Sequence, residues 1–184
     1  MSADRARLLL LLTERSYQKK KVVLSSGKES DFYIDCKKTV LTAEGHWLVG
    51  RLLFELIQQR APKVTGVGGL TMGADPLASA VSLVSHLALH PLAAFLVRKE
   101  PKGHGSGQWV EGLEGLPSGA EVAIVEDVVT TGASTLRAIE RARASGLNPV
   151  GAFALVDRGE GGREAIAASG VPVHSLFVRG DFPS

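Results

Sequence analysis

Short apolar runs alternate with longer amphipathic stretches over most of this chain. Residues 64–67, 92–97, 122–125, 150–156 and 173–178 are apolar runs of strand length. Runs of this kind are typical of strands that are buried on both faces, as in a parallel sheet. Stretches with helical spacing separate them, so the pattern predicts an α/β fold in which helices flank a parallel sheet on both faces.

Apolar residues at helical spacing fill the intervals between these runs. In residues 47–60, Leu48, Leu52 and Leu56 recur every four positions beside a second apolar row. Such a wide apolar stripe faces the core of a globular protein. Further helices are predicted at residues 3–15, at 76–89, from 136 onward and at 163–169.

The first forty residues follow a different pattern. Residues 22–24 and 32–35 predict two strands joined by a polar turn at 25–30. The three consecutive lysines at 19–21 are more typical of a solvated surface than of a nucleic-acid site. This region is therefore expected to form a small hairpin.

Two adjacent acids and a run of hydroxyls follow the apolar run at 122–125. Glu126 and Asp127 stand where the strand is predicted to end, and residues 130–135 lead through Gly132 into a helix. The first N–H groups of a helix attract phosphate, and a glycine lets the backbone approach the ligand. Carboxylates would repel a bare phosphate, but they accept hydrogen bonds from sugar hydroxyls or share a magnesium ion. The stretch predicts a ribose 5-phosphate site, since helix capping alone would explain the hydroxyls but not the acids.

Composition narrows the class of protein. A chain of 184 residues with 45% hydrophobic and 22% charged residues is typical of one soluble globular domain. The net charge of +2 is too small to indicate a nucleic-acid partner. The single Cys36 excludes an internal disulfide and favours a reducing compartment. The leucine run at 8–12 is too short for a targeting or membrane segment, so we expect a soluble cytoplasmic protein without a membrane partner.

Residues 122–135 resemble the phosphoribosyl-diphosphate (PRPP) signature of the type I phosphoribosyltransferases. That signature has apolar residues, two acids, two variable positions, Thr-Thr-Gly and then small residues. The resemblance implies that the two acids take the ribose hydroxyls and that residues 130–134 take the 5-phosphate. The implied PRPP-binding residues of this segment are Glu126, Asp127, Val128, Val129, Thr130, Thr131, Gly132, Ala133 and Ser134. The signature also occurs in regulatory proteins that keep the fold and lose the catalysis.

A second and a third motif are similar to those of one family, the orotate phosphoribosyltransferases. Residues 26–38, Ser-Gly-Lys-x-Ser-x-Phe-Tyr-x-Asp-x-Lys-Lys, resemble the segment that forms part of a small N-terminal hood over the pyrimidine, mainly within residues 1–40. Residues 98–105, Arg-Lys-x-x-Lys-x-His-Gly, resemble the catalytic loop. The resemblance implies a flexible lid at 98–112 whose cations close over pyrophosphate. These are Arg98, Lys99, Lys102 and His104, of which Lys102 and His104 are expected to be catalytic together with Asp127. By composition alone, the glycine-rich segment would be an ordinary surface loop.

Two other loops complete the expected site. In the family the loop at 68–73 faces pyrophosphate, although Thr71-Met72 replace the Tyr-Lys pair of many relatives. Ser25 similarly stands where many relatives have lysine, and Lys28 is a candidate substitute. Arg158 is implied to bind orotate with the Thr130 region, which suits the planar guanidinium fork. The loops at 68–73, 98–112, 126–135 and 157–162 all follow predicted strands, at whose carboxyl ends ligands of such sheets bind.

The resemblance as a whole implies an orotate phosphoribosyltransferase with a type I phosphoribosyltransferase-like parallel sheet flanked by helices and a small N-terminal hood. Residues 1–184 would form a single phosphoribosyltransferase domain. The implied reaction joins orotate and PRPP to give orotidine 5′-monophosphate and pyrophosphate in de novo pyrimidine (UMP) biosynthesis. Mg²⁺ would be carried mainly by PRPP, with no metal site built by the protein, and the lid would be shared between the subunits of a homodimer. The alternatives are a PRPP-binding regulator, which should lack the cationic lid, and a purine phosphoribosyltransferase, which should lack the segment at 26–38.

Overall fold

A computed structural model describes residues 2–23, 29–101 and 108–183. The helices are α1 (Ala3–Leu11), α2 (Lys37–Val40), α3 (Ala43–Arg60), α4 (Asp75–Leu87), α5 (Ala133–Ala144) and α6 (Gly162–Ala167). The strands are β1 (Tyr17–Val23), β2 (Glu29–Ile34), β3 (Gly66–Leu70), β4 (Ala93–Val97), β5 (Val110–Glu111), β6 (Glu121–Val129), β7 (Asn148–Asp157) and β8 (Val173–Val178). A π-helical turn, Leu12–Ser16, joins α1 to β1.

The described strands form two sheets. The larger has the order β5-β4-β3-β6-β7-β8, and its strands are parallel except β5, which runs antiparallel to β4. The smaller is the antiparallel pair β1-β2. The predicted α/β fold with a flanked parallel sheet is therefore confirmed, and the hairpin lies in a sheet of its own.

Helices cover both faces of the larger sheet. Alternate residues of each strand point to opposite faces, so a strand of continuous apolar residues buries side chains on both. Ala123 and Val125 of β6 belong to the core cluster that contains the buried side chains of α1, α3 and α4. Val122 and Ile124 belong to the cluster that contains those of α5 and α6. The continuous apolar run at 122–125 is explained by this burial on both faces.

Several boundaries differ from the sequence prediction. The strand predicted at 122–125 continues to Val129 because β7 runs alongside it to the pair Val129–Asp157, so Glu126 and Asp127 lie within β6 rather than after it. Gly68 and Gly69 lie in β3 rather than in the following loop. A Cβ at Gly68 would lie 2.2 Å from the Phe95 carbonyl oxygen, so this strand position requires glycine.

Other differences concern the residues at which α3 and β1 begin and the loop predicted at 98–112. Helix α3 begins at Ala43 because the Thr42 hydroxyl accepts the Gly45 N–H at 3.1 Å and caps the helix. Strand β1 begins at Tyr17, which places the lysines at 19–21 in a strand. The loop predicted at 98–112 contains the short strand β5, which pairs with Leu96 and Val97. Within the described ranges, no helix combines the length and apolar character needed to cross a membrane.

Candidate active site

A small pocket lies at the carboxyl end of β6, where the strand turns into α5. It has a volume of about 130 Å³. Gly132 caps α5 with a φ of 82°, a conformation that favours glycine. A Cβ at Gly132 would also lie 2.9 Å from the Gly162 carbonyl oxygen, so the loop packs closely on α6. The pocket is lined by Glu126, Val128, Val129, Thr130, Thr131, Gly132, Ala133, Ser134 and Thr135.

Glu126 is the one acidic residue among the described residues that line this pocket. It is 7% exposed, and the Thr135 hydroxyl donates to its Oε2 at 2.9 Å. Burial, followed by the charge of Asp127, raises the pKa of Glu126 to about 8. This direction favours the neutral carboxylic acid, which can donate a hydrogen bond as well as accept one. Sequence reasoning gave the two acids the same role, and only their different burial distinguishes them.

The raised pKa of Glu126 predicts a pH-dependent stability. Because the folded-state pKa of about 8 exceeds the usual value of 4.5, the folded chain binds more protons than the unfolded chain between these two pH values. Wild-type stability should fall as pH rises through that interval. Glu126→Gln keeps an acceptor for Thr135 but cannot ionise, so the difference between its melting temperature and that of wild type should increase from pH 4.5 to about pH 8.

The matched control for this measurement is Glu114→Gln, because Glu114 is an exposed glutamate. Its melting temperature should follow the wild-type curve across the same pH range. Parallel curves for wild type and Glu126→Gln would contradict the assignment of a raised pKa to Glu126.

Asp127 connects three segments of the chain. Its Oδ1 accepts the Val128 N–H at 2.9 Å. On another side is the turn after β3, where a Cβ at Gly73 would lie 2.6 Å from Asp127 Oδ1. The Lys37 Nζ lies 3.9 Å from Asp127 Oδ2. The stretches at 68–73 and 126–135 were predicted to lie at one edge of the sheet, and the structure places Gly73 against Asp127.

Arg158 lies beside this pocket, next to the hairpin. Its Nη2 donates to the Phe32 carbonyl oxygen at 2.8 Å and pairs with Glu160 Oε1 at 2.9 Å. Its backbone N–H donates to the Val129 carbonyl at 3.0 Å. Arg158 is 8% exposed, so its guanidinium is held between β2 and Glu160, and its backbone is bonded to the end of β6.

The described residues of the predicted lid contact β5 and α5 rather than the pocket. Arg98 pairs with Glu111 at 3.2 Å. The Arg141 guanidinium of α5 donates to the carbonyl oxygens of Arg98 and Lys99, and it stacks on Trp109 at 3.8 Å from the ring centre. The structure therefore does not bring the side chains of Arg98 and Lys99 into the lining of the pocket. Lys102 and His104 lie outside the described residues.

Sequence reasoning assigned no role to Lys37 or to Asp35, which pairs with it at 2.9 Å. Both belong to the segment at 26–38, but their neighbour Asp127 is ninety residues further along the chain. The Asp-x-Lys spacing is the only local signal, and on its own it indicates a surface ion pair.

A family model and full-length relatives match this chain. The model of the phosphoribosyl transferase domain matches residues 43–170. An orotate phosphoribosyltransferase of Sorangium cellulosum is 56% identical over 181 residues, which are 98% of this chain and 94% of the relative. One from Aquifex aeolicus is 46% identical over 95% of this chain and 94% of the relative. The chain belongs to the orotate phosphoribosyltransferase family.

Solved structures support the family and the fold. The orotate phosphoribosyltransferase of Mycobacterium tuberculosis in complex with PRPP has a TM-score of 0.78 at 36% identity, covering 97% of this chain and 98% of that chain. An adenine phosphoribosyl transferase from Trypanosoma brucei has a TM-score of 0.71 at 11% identity, covering 100% of this chain and 83% of that chain. The latter is a likeness of fold alone. The family resemblance stated from the three sequence motifs is therefore confirmed.

Proposed function

We propose that this chain is an orotate phosphoribosyltransferase that transfers the ribose 5-phosphate of PRPP to orotate in pyrimidine biosynthesis. The products are orotidine 5′-monophosphate and pyrophosphate. The observation that carries the proposal is the small pocket that Glu126 and the hydroxyl-rich loop at 130–135 line together, with Asp127 next to Glu126 in β6. Family membership over nearly the whole chain supports the choice of base.

Each group of residues binds a different part of the two substrates. The loop at 130–134 offers hydroxyls and the first N–H groups of α5 to the 5-phosphate. Glu126 and Asp127 take the ribose hydroxyls. Arg158 and Thr130 meet orotate, while Arg98, Lys99, Lys102 and His104 close over the leaving pyrophosphate. Positive charge develops on the sugar as pyrophosphate leaves, so catalysis depends on positioning and electrostatics.

Mg²⁺ fits this site as an ion carried by PRPP. Among residues 2–23, 29–101 and 108–183, no cluster of three or more His, Cys, Asp or Glu side chains could hold a metal ion. Asp127 supplies one carboxylate near the ribose, which suits a hard cation held mainly by substrate oxygens and water. When bound, the ion would offset the charge of the departing pyrophosphate.

We further propose a cytoplasmic homodimer in which the lid of each subunit closes over the active site of the other. Support for a second copy comes from an exposed apolar surface on α3, α4 and the segments beside them. Leu41 is 68% exposed, Leu83 58%, Leu87 70% and Leu89 90%, which is a large apolar area for a protein without a partner. Leu41, Leu83 and Leu87 line a groove of about 510 Å³ together with Trp47.

The reaction itself is the test of the proposed function. Purified protein is incubated with PRPP, Mg²⁺ and one base at a time: orotate, adenine, hypoxanthine or guanine. We expect pyrophosphate to appear, and the base to disappear, only with orotate. Consumption of a purine instead would favour the purine enzyme, and PRPP binding without turnover of any base would favour the regulator.

Arg158→Ala is expected to raise KM for orotate far more than KM for PRPP. Losing a charge-assisted hydrogen bond to the substrate should raise KM for orotate roughly tenfold to a hundredfold. Steady-state kinetics with each substrate varied in turn measures the difference. The control is Arg163→Ala, because Arg163 pairs instead with Asp157 at 2.9 Å and should affect melting temperature more than KM. Equal increases in both KM values for Arg158→Ala would indicate a general loss of structure.

A further inference from the structure

Lys37 lies where the hairpin meets the ribose site. It is the first residue of α2, two residues after Asp35, whose Oδ1 lies 2.9 Å from Lys37 Nζ. The same Oδ1 accepts the Lys37 backbone N–H at 3.3 Å. The side-chain hydrogen bond between the two residues raises the pKa of Lys37 and lowers the pKa of Asp35. The Lys37 ammonium is therefore held in place by Asp35.

The segment that carries Lys37 is itself anchored in the core. Cys36 is fully buried, and its thiol approaches the Asp127 carbonyl oxygen at 3.8 Å. Thr39 is buried too, and its hydroxyl donates to the Leu11 carbonyl at 3.1 Å. Residues 36 and 37 thus contact Asp127 at both its backbone and its side chain, which fixes the position of Lys37 relative to β6.

The Asp127 carboxylate is enclosed from three directions. The Val128 N–H binds its Oδ1, Gly73 packs against it so closely that a Cβ there would lie 2.9 Å from its Cγ, and Lys37 approaches its Oδ2 at 3.9 Å. The Asp127 side chain is 17% exposed. An acceptor held in this way presents a fixed orientation to a ribose hydroxyl, which lowers the entropic cost of forming that hydrogen bond.

We propose that Lys37 is a positioning residue, which orients the Asp127 carboxylate for the ribose of PRPP and couples the hairpin to the ribose site. The inference rests on the proposed function, because it takes PRPP as the ligand of Asp127. Lys37 acts through Asp127, and Asp35 holds Lys37 in place.

The competing explanation is that Asp35 and Lys37 form an ordinary surface ion pair. The Lys37 side chain is 43% exposed, and such pairs contribute little to stability. A pair of that kind would leave PRPP binding unchanged when it is removed. A positioning role predicts instead an effect on PRPP that depends on the presence of the Asp127 carboxylate.

PRPP binding without any base is the measurement. Titration calorimetry with PRPP and Mg²⁺ should show roughly tenfold weaker binding for Lys37→Met than for wild type. Lys37→Arg, which keeps the charge, should restore binding to within about threefold of wild type. The matched control is Lys38→Met, because Lys38 is the exposed neighbour, and its binding should equal that of wild type. Melting temperatures of all variants establish that they fold.

A double-mutant cycle separates action through Asp127 from independent action. In an Asp127→Asn background, Lys37→Met should weaken PRPP binding by less than about twofold, because the carboxylate that it positions is gone. A full tenfold loss in that background, or wild-type binding by Lys37→Met alone, would overturn the proposal. Asp35→Asn, which removes the anchor and keeps the ammonium, should weaken binding in the same direction by a smaller factor.

The outcomes for the function and for Lys37 are distinguishable. A wild-type chain that binds PRPP but does not consume orotate overturns the proposed function, while the Lys37 cycle is still decided by binding. A wild-type chain that does not bind PRPP overturns both.

Discussion

Asp127→Asn is expected to lower kcat/KM by a factor on the order of 10²–10³. The substitution keeps the shape of the side chain and the acceptor for the Val128 N–H. It removes the carboxylate charge that, in the proposed function, accepts hydrogen bonds from the ribose hydroxyls and stabilises the positive charge developing on the sugar. Because the second effect is greatest in the transition state, kcat should fall as well as kcat/KM.

Steady-state kinetics with PRPP varied at saturating orotate measures this loss. The matched control is Glu121→Gln, which removes a carboxylate from the opposite end of the same strand, β6. Its kinetic constants should be those of wild type. Unchanged kcat and KM for PRPP in Asp127→Asn would contradict the assignment of Asp127 to the ribose.

Mixed dimers of Lys102→Ala and Asp127→Asn are expected to recover activity that neither variant has alone. If the lid serves the neighbouring subunit, each homodimer carries a lesion in both sites and should be nearly inactive. A mixed dimer places both lesions in one site and leaves the other intact. Since half of the dimers in a random mixture are mixed, with one good site each, activity should return to roughly a quarter of wild type.

The mixture is assayed after subunit exchange, which is followed with two distinguishable tags. As the control, each variant is taken through the same exchange procedure by itself. Both should stay inactive. If exchange is complete and no activity returns, the lid acts within its own chain, and the proposal of a shared lid is wrong.

The sequence alone determined the fold class, and it predicted a candidate site at the carboxyl ends of the strands. The apolar runs are continuous because their strands are buried on both faces, so their type could be identified without a structure. The hydroxyls and Gly132 after β6 are local in sequence, since a strand, a turn and a helix N-terminus are built from consecutive residues. For the same reason the motif at 122–135 could indicate the type I phosphoribosyltransferases, and its residues line the small pocket after β6.

Only the tertiary structure decided how the acids differ and which residues surround them. Glu126 and Asp127 are adjacent in sequence, but burial gives Glu126 a pKa of about 8, and burial depends on residues packed from elsewhere in the chain. The extension of β6 beyond both acids depends on pairing with β7, which propensity does not reveal. The contact of Lys37 with Asp127 joins residues far apart in sequence, and the geometry of such a contact is set by the packing of α2 rather than by any local pattern.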